Sequence, residues 1–200
     1  QFDIIAKSKG YIVMKATREQ DMIEHFDMII YKNHLGPKIE ICNQLKTTAD
    51  YCKARCSAKA DSSQLITTQE VNQLKPINRV EIKGLKRISA QENFQDKYTW
   101  VELHGINEKD QGWLHGSADI IAFERTDHFV LVDRIKLISL INNLVSFNFQ
   151  VENPEDALYK VYHRKERPYE RSTLIELEAI EEIKIENWKK LNKDIFVGWL

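Results

Sequence analysis

Six short runs rich in β-branched and aromatic residues constrain this chain more than any other feature. They are YIVMKAT (11–17), FDMIIYK (26–32), NRVEIKGLKRIS (78–89), YTWVELHGI (98–106), ADIIAFER (118–125) and HFVLVDR (128–134). Each has the length and composition of a strand. The segments GINEKDQGWLHGS and RTDH between the later runs carry Gly or Asp turn chemistry at hairpin-like lengths, so neighbouring strands are expected to be antiparallel. FDIIAKSKG reads as the end of a helix closed by Gly10, REQDMIEH as a short helical or looped link, and IKLISLINNL (135–144) as a helix with its apolar residues at helical spacing. ALYKVYHR (157–164) is a further strand, KERPYER a charged turn, and STLIELEAIEEIKIENWKKL opens on a Ser at an N-cap position. The expected class is α/β, a mixed sheet flanked by helices.

Two hundred residues suffice for one domain with a well-developed core. The segment 33–76 departs from the strand pattern. It contains the polar, Ala/Ser/Thr-rich stretch TTADYCKARCSAKADSSQ and reads as a partly helical insertion between strands, with 146–200 a C-terminal extension of the same domain, 1–200. No apolar run reaches the roughly 18 residues that cross a bilayer, and the first residues lack a secretion signal's apolar core. A cytoplasmic setting, in a bacterial or phage-infected cell, is the expectation. An odd count of three cysteines favours reduced thiols; Cys52 and Cys56, with Cys42 and His34 nearby, read as ordinary buried residues rather than a zinc site. Between residues 32 and 87 there are 11 Lys and Arg against 5 Asp and Glu, although the net charge of the chain is −1. That excess is compatible with a side facing nucleic acid, and equally with solvated lysines.

The chemistry centres on Glu81-Ile82-Lys83. Side chains alternate along a strand, so Glu81 and Lys83 project to one face while Val80 and Ile82 project to the other. On the three residues alone this is an exposed ion pair on a strand's polar face. With FDMIIYK alongside, Asp27 stands next to Glu81, and two carboxylates converge with an ammonium close by. Two carboxylates and the Ile82 carbonyl are hard ligands suited to Mg²⁺ or Mn²⁺. Lys83 would then position a water or neutralise developing negative charge. Glu102 and His104 share a face on a strand expected beside Glu81, and His25 shares a face with Asp27. Asp119 reads as turn or capping chemistry, and Asp133 with Lys136 as a strand-to-helix junction.

In this order, HFDMII followed after a long gap by VEIKG, the chain resembles the PD-(D/E)XK nuclease superfamily, which has the restriction-endonuclease-like fold. It is similar to small phage- and plasmid-borne members in which WVEL, GWLHGSADIIAFE and FVLVDR follow, a likeness over roughly residues 1–145. The resemblance implies a metal-dependent nuclease that hydrolyses DNA phosphodiester bonds. It implies Asp27 and Glu81 as metal ligands, Ile82 as a ligand through its carbonyl, Lys83 as the catalytic lysine and Mg²⁺ or Mn²⁺ as cofactor. Glu19 and Glu102 are candidates for a further acidic ligand. Lys86, Arg87, Lys53, Arg55, Arg164 and Lys165 are expected on the DNA backbone, the last two from YHRKERPYER, whose interleaved arginines and tyrosines suit phosphates and bases. DNA is the expected partner, a membrane is not, and a homodimer is allowed. The competing reading is a catalytically inactive member that serves as a nucleic-acid- or protein-binding module.

Overall fold

The computed structural model describes residues 1–32, 78–88 and 93–191. In chain order its main elements are α1 (Phe2–Ser8), β1 (Tyr11–Lys15), a π-helical turn (Gln20–Glu24), β2 (Met28–Lys32) and β3 (Asn78–Lys83). There follow β4 (Tyr98–His104), a 3-10 turn (Trp113–His115), β5 (Ile120–Glu124), β6 (His128–Asp133) and α2 (Arg134–Leu144). The last are β7 (Ser146–Val151), β8 (Lys160–Arg164), β9 (Arg167–Glu176), α3 (Leu177–Glu181) and β10 (Lys184–Lys189). The expected insertion at 33–76 lies outside the described residues, as do Lys53, Arg55 and all three cysteines.

The architecture is α/β, but with two sheets. The first has the order β1-β2-β3-β5-β6-β10 and the second β4-β9-β8-β7; within them β3–β5 and β7–β8 are parallel and the other pairs antiparallel. This corrects the expectation that the strand bearing Glu102 and His104 neighbours Glu81. A parallel pair cannot be closed by a hairpin. The chain between β3 and β5 is therefore a crossover, and β4, which lies on it, leaves the first sheet to pair with β9. The RTDH hairpin between β5 and β6 is antiparallel as expected.

The C-terminal region is also corrected. Ser172 is not an N-cap: it sits inside β9, opposite Glu102 on one side and Tyr162 on the other. Only Leu177–Glu181 is helical, and Lys184–Lys189 returns to the first sheet as an edge strand against β6. Strand β7 was not anticipated.

Both faces of the first sheet are covered. On one, Phe2, Ile5 and Ala6 of α1 pack with Val13, Ile30, Val80, Ile120, Leu131 and Trp188. On the other, Ile121, Phe123, Val130 and Val132 meet Leu137 and Ile141 of α2 and, from the second sheet, Val101, Val161 and Ile175. Helix α1 closes as its sequence suggests, with Gly10 at φ 85°, a left-handed conformation that favours glycine. Asp133 caps α2 by accepting a hydrogen bond from the Lys136 backbone N–H at 2.9 Å.

Asp119, just before β5, ties that strand to β3. It accepts from the Arg79 backbone N–H at 2.7 Å, from Nε at 3.2 Å and from a terminal guanidinium nitrogen at 3.1 Å. Burial pushes its carboxyl up, but the hydrogen bonds and charge of Arg79 outweigh this and hold it below the ordinary carboxylate range. A depressed folded pKa contributes stability that is present above the unfolded value, about 3.9, and is lost as pH falls through the folded value. The melting-temperature deficit of Asp119→Asn should accordingly be largest near neutral pH and shrink in acid. Thermal melts of both proteins across that range decide it; an undiminished deficit in acid would exclude the linkage.

Candidate active site

Strand β2 is entered from His25, which takes a left-handed conformation (φ 53°) immediately upstream of Phe26 and Asp27. The β2–β3 register pairs Met28 with Val80. Beyond it the main chain still supports Asp27, whose N–H donates to the Val80 carbonyl and whose carbonyl accepts from the Ala16 N–H, each at 2.8 Å. The next donor on β3 is the N–H of Ile82, and no strand residue faces it. The carboxylate of Asp27 takes that place, Oδ2 accepting from Ile82 N–H at 2.6 Å. An acid at the start of β2 thus completes the ladder with its side chain and is thereby fixed against the Glu81-Ile82-Lys83 segment.

On its other edge β3 runs parallel to β5, with Glu81 beside Ile121 and Lys83 beside Phe123. Adjacent residues in register share a face. Glu81 and Lys83 therefore stand on the side of the core between the two sheets, while Val80 and Ile82 pack toward α1. The charged face of the motif is the inner one. Glu81 is only 6% exposed. Its Oε1 is ion-paired with the Lys83 ammonium, which also lies 4.6 Å from the centroid of the Trp113 ring. Oε2 is buried without a hydrogen-bond partner among the described residues. Burial pushes the Glu81 carboxyl above its usual range; Lys83 pulls it back in part, and the nearby charges of Asp27 and Asp21 push it further up.

Asp21 is a residue that sequence reading missed. It comes from the π-helical turn and lines an open cleft of about 450 Å³ together with Lys15, Ala16, Asp27, Met28 and Ile82. The only sequence signal was an acid in the link between two adjacent strands, a link that must return to the sheet end where Asp27 sits. Glu19, at the start of the same turn, is exposed.

A second polar group ties the turn before β2 to the loop after β4. His25 Nε2 lies 3.1 Å from Asp110 Oδ1, which also accepts from the Gly112 N–H at 2.9 Å. A Cβ on Gly116 would come within 2.6 Å of the His25 Cβ, so glycine there makes room for the histidine. Glu102 reaches this group from the second sheet. Burial pushes its carboxyl up, Lys83 draws it down, and Asp110 pushes it up.

Asp27 is thus joined to Ile82 by a hydrogen bond, and Glu81 to Lys83 by an ion pair. Arg87 and Lys86 follow on the same chain and are exposed, the Arg87 guanidinium lying 4.5 Å from the Phe94 ring centroid. Arg164 and Lys165 lie at the β8–β9 turn of the second sheet, with Lys165 paired to Glu152 at 2.8 Å. Among the described residues no three His, Cys, Asp or Glu side chains converge to hold an ion by themselves. Donors available to a hard cation are two carboxylates, one with an orphaned buried oxygen, and main-chain carbonyl oxygen, a set that suits a cation retaining several waters. Compared with protein families, curated proteins and solved structures, the chain matches none of them.

Proposed function

We propose that this chain is a divalent-metal-dependent nuclease of the PD-(D/E)XK type, with the restriction-endonuclease-like fold, hydrolysing phosphodiester bonds in DNA. One observation carries the reading: Glu81 is buried with one oxygen against Lys83 and the other without a partner, at the strand position where Asp27 is fixed alongside. Burying a carboxylate with an unsatisfied oxygen is costly. A bound cation would offset that cost, and the nearby charges of Asp27 and Asp21 would favour it further.

Asp27 and Glu81 would hold Mg²⁺ or Mn²⁺, with Ile82 contributing its carbonyl. Such a cation supplies Lewis-acid stabilisation of the phosphodiester and a more acidic water. Lys83 supplies a fixed positive charge beside that position, to orient the attacking water or to neutralise charge developing on the phosphate. Trp113 covers the ammonium and keeps water from one side, which strengthens that charge. Arg87 and Lys86, four and three residues beyond Lys83, would hold flanking phosphates.

The test is incubation of plasmid, linear and single-stranded DNA with the protein in Mg²⁺, in Mn²⁺ and in EDTA, in parallel with a thermal melt under each condition. Cleavage that requires metal, together with a metal-dependent rise in melting temperature that Glu81→Gln removes, is the expected result. Absence of both would sink the proposal. Strand binding without cleavage in either metal would favour the non-catalytic binding module.

A further inference from the structure

The outer face of the second sheet carries a second feature. Ser172 on β9 is paired with Glu102 on one side and Tyr162 on the other, so these three share a face, and Trp100, two residues before Glu102, shares it too. The opposite face belongs to the core, through Val101, Val161 and Ile175. Trp100 and Tyr162 therefore face away from the core as an aromatic pair, ring centroids 5.3 Å apart. The Trp100 indole N–H donates to the Arg87 carbonyl at 3.1 Å, which locks that ring against the chain leaving β3. Arg87 in turn lies over Phe94, which is 62% exposed.

We infer that Phe94, Trp100 and Tyr162, with Arg87, form a stacking platform for a single strand of nucleic acid. The occupant follows from the chemistry. Aromatic faces interleaved with cations suit unpaired bases joined by phosphates, and a duplex keeps its base faces stacked on each other and unavailable. Two of the nearby carboxylates are engaged elsewhere: Asp96 accepts from the Thr126 hydroxyl at 2.7 Å, and Glu176 from the Tyr159 hydroxyl at 3.1 Å. The platform also leads to the candidate active site. Arg87 is four residues of chain from Lys83, at most about 14 Å. The inference rests on the nuclease reading for its purpose, and names the substrate as single-stranded.

Its test is kept independent of cleavage. Fluorescence anisotropy of labelled oligo-dT, oligo-rU and a hairpin duplex is measured in EDTA for the wild type, Phe94→Ser, Arg87→Gln and Trp100→Phe. Phe94 and Arg87 are exposed, so their variants should fold, and Trp100→Phe retains an aromatic ring. Phe94→Ser should weaken binding of the single strand about tenfold with an unchanged salt dependence. Arg87→Gln should weaken it and lower the salt slope by about one. Trp100→Phe should bind within a few-fold of wild type, and the duplex should bind less tightly than the strand. Preference for oligo-dT or oligo-rU assigns the strand as DNA or RNA. Duplex bound as tightly as single strand, or wild-type affinity in Phe94→Ser, would overturn the platform. Failure of the nuclease reading is separate: tight strand binding in EDTA with no cleavage when Mg²⁺ or Mn²⁺ is added.

Discussion

Replacing Lys83 with alanine should reduce metal-dependent DNA cleavage by about 10²–10³-fold, the loss that follows removal of one preorganised group facing transition-state charge. The same substitution should also lower stability. The Lys83 ammonium pairs with a Glu81 carboxylate that is almost wholly buried, and removing one partner of a buried pair costs about 3–5 kcal/mol. Activity and stability must therefore be measured together, below the variant's melting temperature. Asp27→Asn separates them. An amide oxygen can still accept the Ile82 N–H, so the β3 edge stays capped and the melting temperature should move little. The charge is lost, and cleavage should fall comparably. If Asp27→Asn cleaves at the wild-type rate, Asp27 serves only the ladder.

A comparably large effect on folding is expected at Trp188. It is 1% exposed on β10 and stacks on Phe2 at 5.0 Å and on Tyr11 at 5.6 Å, joining the last described strand to the first helix and first strand. Trp188→Ala should destabilise by about 3–5 kcal/mol, read from chemical denaturation. A loss under about 1 kcal/mol would mean that β10 contributes little to the first sheet.

The strands at 11–15, 28–32, 78–83, 120–124 and 128–133 and the helix at 134–144 were legible because their periodicities are strong and their ends carry turn or capping residues. The tail was not. Leu174, Ile175, Leu177 and Ile180 satisfy a helical spacing, yet Leu174 and Ile175 belong to β9. Pairing with β4, some 75 residues upstream in sequence, decides between two periods that local sequence leaves open. Strand β4 itself was legible as a strand, but not its sheet. Hydrophobic alternation marks two faces and says nothing about which neighbour the edges take.

The candidate site divides in the same way. Sequence by itself determined that Glu81 and Lys83 share one face of a strand and that an acid, Asp27, opens another, because side-chain alternation is a local property of extended backbone. Only the tertiary structure decided the rest. It set Asp27 against Ile82 by side-chain capping of an unfilled ladder position, turned the charged face of β3 inward beneath Trp113, and brought Asp21 and Glu102 toward it from a turn and from a second sheet. These are long-range pairings, and the burial that raises the Glu81 carboxyl depends on layers contributed by segments far away in the chain.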